Sequence, residues 1–172
     1  GQYSIGMRVI QIPASLIGAS ISQVFLKNAS ERRYSKTLYN YCIETTKKLF
    51  KYTAPIVIIL FFLGKPIFHL VFGDKWDIAG LYSQILAPWA MLWFCASPMH
   101  SVFSITQRQN IYLFFSIINL ATRFLSLYLG EMLNSDIWGI AFFSISGFIV
   151  YGLSLVLALI EAKKNDLRQS HI

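Results

Sequence analysis

Long runs without an Asp, Glu, Lys or Arg constrain this chain more than any other feature: 9–26, 52–64, 79–107, 109–122 and 137–160. A bilayer core about 30 Å thick takes ~20 mostly apolar residues as helix. Only a structure that satisfies its own backbone hydrogen bonds can cross there. Five segments meet that need, roughly 3–26, 52–72, 79–103, 110–130 and 137–160. The last is the clearest, running uncharged from Ile137 to Ile160 before Glu161, Lys163 and Lys164. Lys65 and Pro66 interrupt the second near one end, where a lysine can snorkel to the interface. The expected fold is all-α, a polytopic membrane helix bundle with five transmembrane helices.

Composition points the same way. Apolar residues make up 55% of the chain and charged residues 13%, about half the charge of a soluble domain. Fourteen Phe, four Trp and nine Tyr exclude a disordered chain, which is poor in aromatics. The net charge of +7 does not mark a nucleic-acid binder, because the basic residues are gathered between the uncharged runs instead of lining one solvated face. Cys42 and Cys95 lie far apart, with no CxxC and no His at ligand spacing, so neither a metal site nor a disulfide framework is indicated. His69 and His100 fall on different spans near opposite faces, which argues against a shared metal site or proton relay. No cofactor is expected.

The basic residues set the orientation. Lys27, Arg32, Arg33, Lys36, Lys47, Lys48 and Lys51 fall between the first two spans, Arg108 in the 104–109 turn, and Lys163, Lys164 and Arg168 in the tail. The other side has Lys65 and Lys75 beside Asp74, Asp77, Glu131 and Asp136. The positive-inside rule makes the first side cytoplasmic, with a cytoplasmic loop 27–51 and tail 161–172. Gly1 is then outside, with no signal peptide or basic leader before it. The expectation is a C-terminal fragment of a longer protein whose N-terminal part crosses the membrane an odd number of times. Within the loop, Leu38, Cys42, Thr45 and Leu49 recur at helical spacing. That suits an interfacial helix, and a solvated linker is the plainer alternative.

Polar residues inside spans tend to face the bundle interior or a wet cavity, so their phase is informative. In the first span Arg8, Gln11, Ser15, Ala19 and Ser22 share one stripe, and in the fourth Ser116, Asn119, Arg123 and Ser126 do the same. The fifth carries a milder stripe of Ser144, Gly147, Tyr151, Ser154 and Ala158, and the third has Ser97, His100 and Ser104. Arg8, Gln11, Asn119 and Arg123 are the candidate substrate-binding residues of a lumen. Arg123 lies roughly 10 Å below the outer end at ~1.5 Å per residue, where a guanidinium can hold a phosphate or carboxylate bidentately. Arg8 is close enough to the outer end to snorkel instead. Ala14, Gly18 and Ser22 form a small-residue ridge that reads equally as close helix packing. Pro13, Pro55, Pro88 and Pro98 are kinks or hinges within spans. No GxSxG, HExxH, P-loop or carboxylate pair is present, so no catalytic residue is expected and the chain reads as a non-enzyme.

The stretch from Gly1 to Phe25, GQYSIGMRVIQIPASLIGASISQVF, resembles the "G-x-Y-S-x-x-x-R-x-x-x-x-P" segment of polysaccharide biosynthesis proteins. These are the Wzx-type flippases of the multidrug, oligosaccharidyl-lipid, polysaccharide (MOP, MATE-like) superfamily. Residues 64–76, GKPIFHLVFGDKW, and 79–89, AGLYSQILAPW, are similar to its "P-I-x-x-x-x-F-G-x-x-W-x-x-A-G-x-Y" region, and Gln107-Arg108-Gln109 to a short turn common in it. Arg8 sits at the family's arginine. The resemblance implies a two-lobe twelve-helix transporter fold, of which these spans are the last five. It also implies alternating access that moves an undecaprenyl-pyrophosphate-linked oligosaccharide across the bacterial inner membrane. The implied partners are that lipid-linked oligosaccharide, membrane lipids and other polysaccharide assembly proteins, as in lipopolysaccharide O-antigen export. A multidrug/ion antiporter of the same superfamily would need acidic residues within the spans, which have none. A membrane glycosyltransferase or polymerase would need a large outer loop. A non-transport membrane subunit is a further alternative.

Overall fold

The charge-free runs become helices whose ends are set by the polar breaks between them. The computed structural model describes residues 18–169. Helix α1 is described over 18–32, followed by α2 (Leu38–Phe72), α3 (Asp77–Ile105), α4 (Gln109–Met132) and α5 (Asp136–Gln169). One 3₁₀ turn, Asp74–Trp76, links α2 to α3. From α2 onward, four helices are long and apolar enough to cross a membrane. The chain is thus an all-α polytopic membrane bundle. Most of the first span, 3–26, lies outside the described residues.

The turns after α3 and α4 are built alike. Past α3, Gln107 takes a left-handed φ of 58°, its N–H bonds Ser104 O at 3.1 Å, and Arg108 N–H bonds Phe103 O at 2.7 Å. Past α4, Asn134 (φ 48°) and Ser135 repeat the pattern onto Glu131 O and Gly130 O. Both are Schellman closures, which satisfy carbonyls a helix end would leave orphaned. They turn α3 into α4 and α4 into α5 within three residues.

Packing centres on α3. It lies against both α2 and α5, while α4 rests mainly on α5, which leaves a broad face of α4 exposed (Leu113, Ile117, Leu120, Phe124). Close approach needs glycine at two crossings. A Cβ on Gly64 would fall 3.0 Å from Gly80 O between α2 and α3, and one on Gly130 would fall 2.7 Å from Gly139 Cα between α4 and α5. Pro55 and Pro66 sit inside α2, and Pro88 and Pro98 inside α3, without ending either helix. Pro13 is outside the described residues.

The basic end departs from expectation. Leu38–Lys51 is not a separate helix lying along the interface; it continues unbroken into the apolar segment as one helix of 35 residues. At ~1.5 Å per residue that is about 52 Å, some 20 Å beyond a bilayer core. The buried face of this extension is Leu38, Cys42, Thr46 and Leu49, with Thr46 in place of the expected Thr45. At the other terminus α5 runs nine residues past Ile160 to Gln169. The two extensions dock on each other. Phe25, Leu38, Cys42, Met99, Val102 and Ala162 belong to one buried cluster joining α1, α2, α3 and α5. Asp166 Oδ2 accepts from Tyr39 N–H at 2.9 Å, capping α2 where Thr37 makes no side-chain cap. Asn165 Nδ2 donates to Arg33 O at 2.9 Å. Buried Glu161 pairs with Lys164 at 2.9 Å and meets Arg108 at 3.9 Å. Burial, followed by the nearby Asp166 charge, pushes the Cys42 thiol up to about 12; it lies outside the uncharged segment that begins at Tyr52.

At the opposite end, His69 lies 2.8 Å from Asp77 and 3.5 Å from Asp74, and Lys65 lies 3.6 Å from Asp77. The hydrogen bond with His69 comes first among the causes that hold the Asp77 carboxyl below its ordinary range.

Candidate functional site

The polar positions of α3, α4 and α5 meet along one seam. Arg123 Nε donates to Asn119 Oδ1 at 3.1 Å, and Asn119 Nδ2 donates to the Tyr151 hydroxyl of α5 at 2.8 Å. An arginine can only donate, so the Asn119 amide is fixed with its oxygen toward Arg123 and its nitrogen toward Tyr151. One turn further along α5, the Ser154 hydroxyl donates to Tyr151 O at 2.9 Å. It therefore accepts from His100 Nε2 of α3 at 3.2 Å. That assigns the imidazole proton to Nε2 and leaves Nδ1 as an acceptor. The His100 ring lies among Tyr112, Tyr151 and Phe103, at centroid distances of 5.1, 6.0 and 6.4 Å.

Arg123 is also gripped by aromatic faces. Its Cζ lies 4.3 Å from the centroid of Phe143 and 5.5 Å from that of Trp89, within cation–π range. Trp89 is 3% exposed, edge-on to Phe143 at 5.2 Å and stacked on Trp93 at 6.0 Å. Gly147 gives that indole its place, since a Cβ there would lie 2.7 Å from Trp89 Nε1. Among the described residues Arg123 has no carboxylate partner, and its bond to Asn119 uses Nε alone.

Two cavities follow the seam. One of about 230 Å³ lies between Trp93, His100, Asn119 and Tyr151. The other, about 600 Å³, opens toward Gln109 and Asn110 at the basic end of α4. His100, Tyr112 and Ser116 line both. Among the described residues no Asp, Glu, Lys or Arg lines either cavity, and no group of His, Cys, Asp or Glu could hold a metal ion.

Of the residues expected to line a lumen, Asn119 and Arg123 are thus joined to each other, and Arg8 and Gln11 lie outside the described residues. Ser126 is buried and bonds Thr122 O at 2.7 Å, so the fourth-span stripe turns from cavity to packing along its length. Gly18 faces Phe94, with a Cβ there 3.8 Å from the ring, and α1 buries Phe25 and Ala29 beyond it. The described part of the small-residue ridge is therefore a packing surface. Sequence reasoning had Tyr151, Ser154 and His100 as separate polar positions, without their bonds across helices. The grip of Trp89 and Phe143 on Arg123 and the docking of Glu161, Asn165 and Asp166 were missed. The signal for the latter was present, in acidic residues set within the basic tail.

No curated protein and no solved structure matches the chain. The seam residues, from Trp89 to Ser154, all lie beyond residue 81, so their chemistry is argued from their own geometry. Residues 1–81, a little under half of the chain, match the model of a family described as polysaccharide biosynthesis protein, and that portion is similar to the family.

Proposed function

We propose that the chain serves the export of polysaccharide precursors. In this reading it forms part of a flippase that carries undecaprenyl-pyrophosphate-linked oligosaccharide across the bacterial inner membrane by alternating access, with the basic end of the bundle and the C-terminus in the cytoplasm. It acts as a transporter, not an enzyme. The observation that carries the reading is Arg123. An arginine within an apolar span is costly and marks a candidate functional site; Arg123 has no acidic partner among the described residues, and Asn119, Phe143 and Trp89 hold it in one orientation. A guanidinium so held suits a doubly charged phosphate ester, which it can bind through two parallel hydrogen bonds. The match of residues 1–81 to polysaccharide biosynthesis proteins supplies the class of molecule to which that pyrophosphate is attached.

The test is Arg123→Ala at the chromosomal locus, with surface polysaccharide and inner-leaflet lipid-linked precursor quantified together. Losing one member of a desolvated charge pair costs about 2–5 kcal/mol, so surface polysaccharide falls at least tenfold while precursor accumulates inside. Arg123→Lys keeps the charge without the planar fork and falls between. Normal export in the alanine strain refutes the proposal.

A further inference from the structure

The basic residues at one end of the bundle are not all engaged alike. Arg32 lies over Tyr41 at 4.6 Å and Lys163 over Tyr39 at 5.9 Å, while Arg108 and Lys164 meet Glu161. Lys47, Lys48 and Lys51 are exposed on α2. Among the described residues their side chains make no hydrogen bond, ion pair or ring contact. They leave α2 on the side away from its buried Leu38, Cys42, Thr46 and Leu49. The same side continues along the helix as Ile58, Ile59 and Phe62, which are 55, 49 and 68% exposed within a segment apolar enough to cross a membrane. A face both apolar and uncovered over that depth faces lipid, and helical phase carries it up into the lysines.

Depth makes the match closer. The uncharged run begins at Tyr52, which is exposed and lies one turn beyond Lys48 on the same side, where a tyrosine suits the membrane interface. At ~1.5 Å per residue, Lys48 and Lys47 stand about 4.5 and 6 Å above Lys51. The headgroup layer of one leaflet is about 5–8 Å thick, so all three ammonium groups fall within it. Glu44 is the single acidic residue of the stretch 38–51, and it lies a turn further out than the lysines. Pro55, exposed on the same side, has no N–H to give the Lys51 carbonyl, so the backbone there also offers an acceptor to a headgroup hydroxyl.

We infer that this face of α2 binds an anionic phospholipid of the leaflet at the basic end, with its phosphate among Lys47, Lys48 and Lys51 and its chains along Ile58, Ile59 and Phe62. The bound lipid fixes the depth of α2 and so the height at which the docked ends of α2 and α5 stand above the membrane. The inference needs only the membrane bundle and is independent of the transport reading.

The experiment places p-benzoylphenylalanine at Tyr52 of the full chain in nanodiscs of equal phosphatidylglycerol and phosphatidylcholine, and measures which labelled phospholipid is captured on illumination. A basic side chain near an anionic surface favours binding about fivefold, so three of them bring the ratio of captured phosphatidylglycerol to phosphatidylcholine to at least ~10. The ratio falls severalfold at 1 M salt, where the Debye length is about 3 Å. Lys47→Gln, Lys48→Gln and Lys51→Gln together bring it close to one. Removing as much charge elsewhere at the basic end, by Lys27→Gln, Lys36→Gln and Arg168→Gln, leaves it unchanged. Equal capture of the two phospholipids by the unsubstituted lysine face overturns the inference. So does an equal fall in both triple variants, which would assign the preference to the general potential of the basic end. Capture of neither phospholipid would mean that something other than lipid covers this face, and also overturns it.

Discussion

Two glycines five residues apart on α5 should respond in opposite directions to the same methyl group. A Cβ at Gly147 would sit 2.7 Å from Trp89 Nε1 and closer still to Trp89 Cδ1, whereas one at Gly152 would lie 3.4 Å from Leu92 Cδ1. Reaching an ordinary contact requires the indole to retreat by about 1 Å, set by its nearer atom Cδ1. It has no room for that, being 3% exposed and fixed between Trp93 and Phe143. Overpacking of this kind costs about 1–3 kcal/mol. The intrinsic gain of Gly→Ala in a helix, up to ~1 kcal/mol, offsets part of it. Gly147→Ala is therefore net destabilising by about 1–2 kcal/mol, and Gly152→Ala is neutral or stabilising by up to ~1 kcal/mol. Equilibrium unfolding in mixed detergent and SDS micelles, followed by tryptophan emission, gives both values. The gap between the variants, about 2 kcal/mol, exceeds a tenfold change in the folding equilibrium. Equal stability of the two variants, or a more stable Gly147→Ala, would refute the close approach of α3 and α5 at Trp89.

The docked ends supply two more predictions. Asp166→Ala removes the cap on the first turn of α2 and lowers stability by ~1 kcal/mol; Asp166→Asn, which keeps an acceptor, loses less in the same unfolding assay. Cys42 remains unlabelled by maleimide at pH 8 until SDS unfolds the chain, because burial holds the thiol neutral, with its ionisation moved from 9.0 to about 12. The folded chain then binds more protons than the unfolded chain between those values, so this thiol's contribution falls as pH rises from about 9 toward 12. Cys42→Ser should flatten that alkaline limb.

What the sequence made legible, and what it hid, divide along local and non-local physics. The absence of charge over 52–64 and 137–160 decides that these residues are helical, because no other backbone arrangement in them survives lipid. Helical phase decides that Asn119 and Arg123 share a face four residues apart, and the structure closes that pair into a hydrogen bond. The polar stretch 38–51 was expected as a helix of its own, and its amphipathic spacing does not reveal that it continues unbroken into the apolar segment. What settles the matter is the tail of α5, more than 120 residues away, which covers Leu38 and caps Tyr39 through Asp166. The same limit hid Trp89 and Phe143, whose aromatic spacing on their own helices says nothing about a cation on α4. The sequence by itself determined that the chain is a bundle of membrane helices with polar stripes and one charged end, since hydrophobicity and period are properties of each segment. Only the tertiary structure decided that the stripes of α3, α4 and α5 converge on one cleft and that two helix extensions dock, since both depend on the rotation and depth at which separate helices meet.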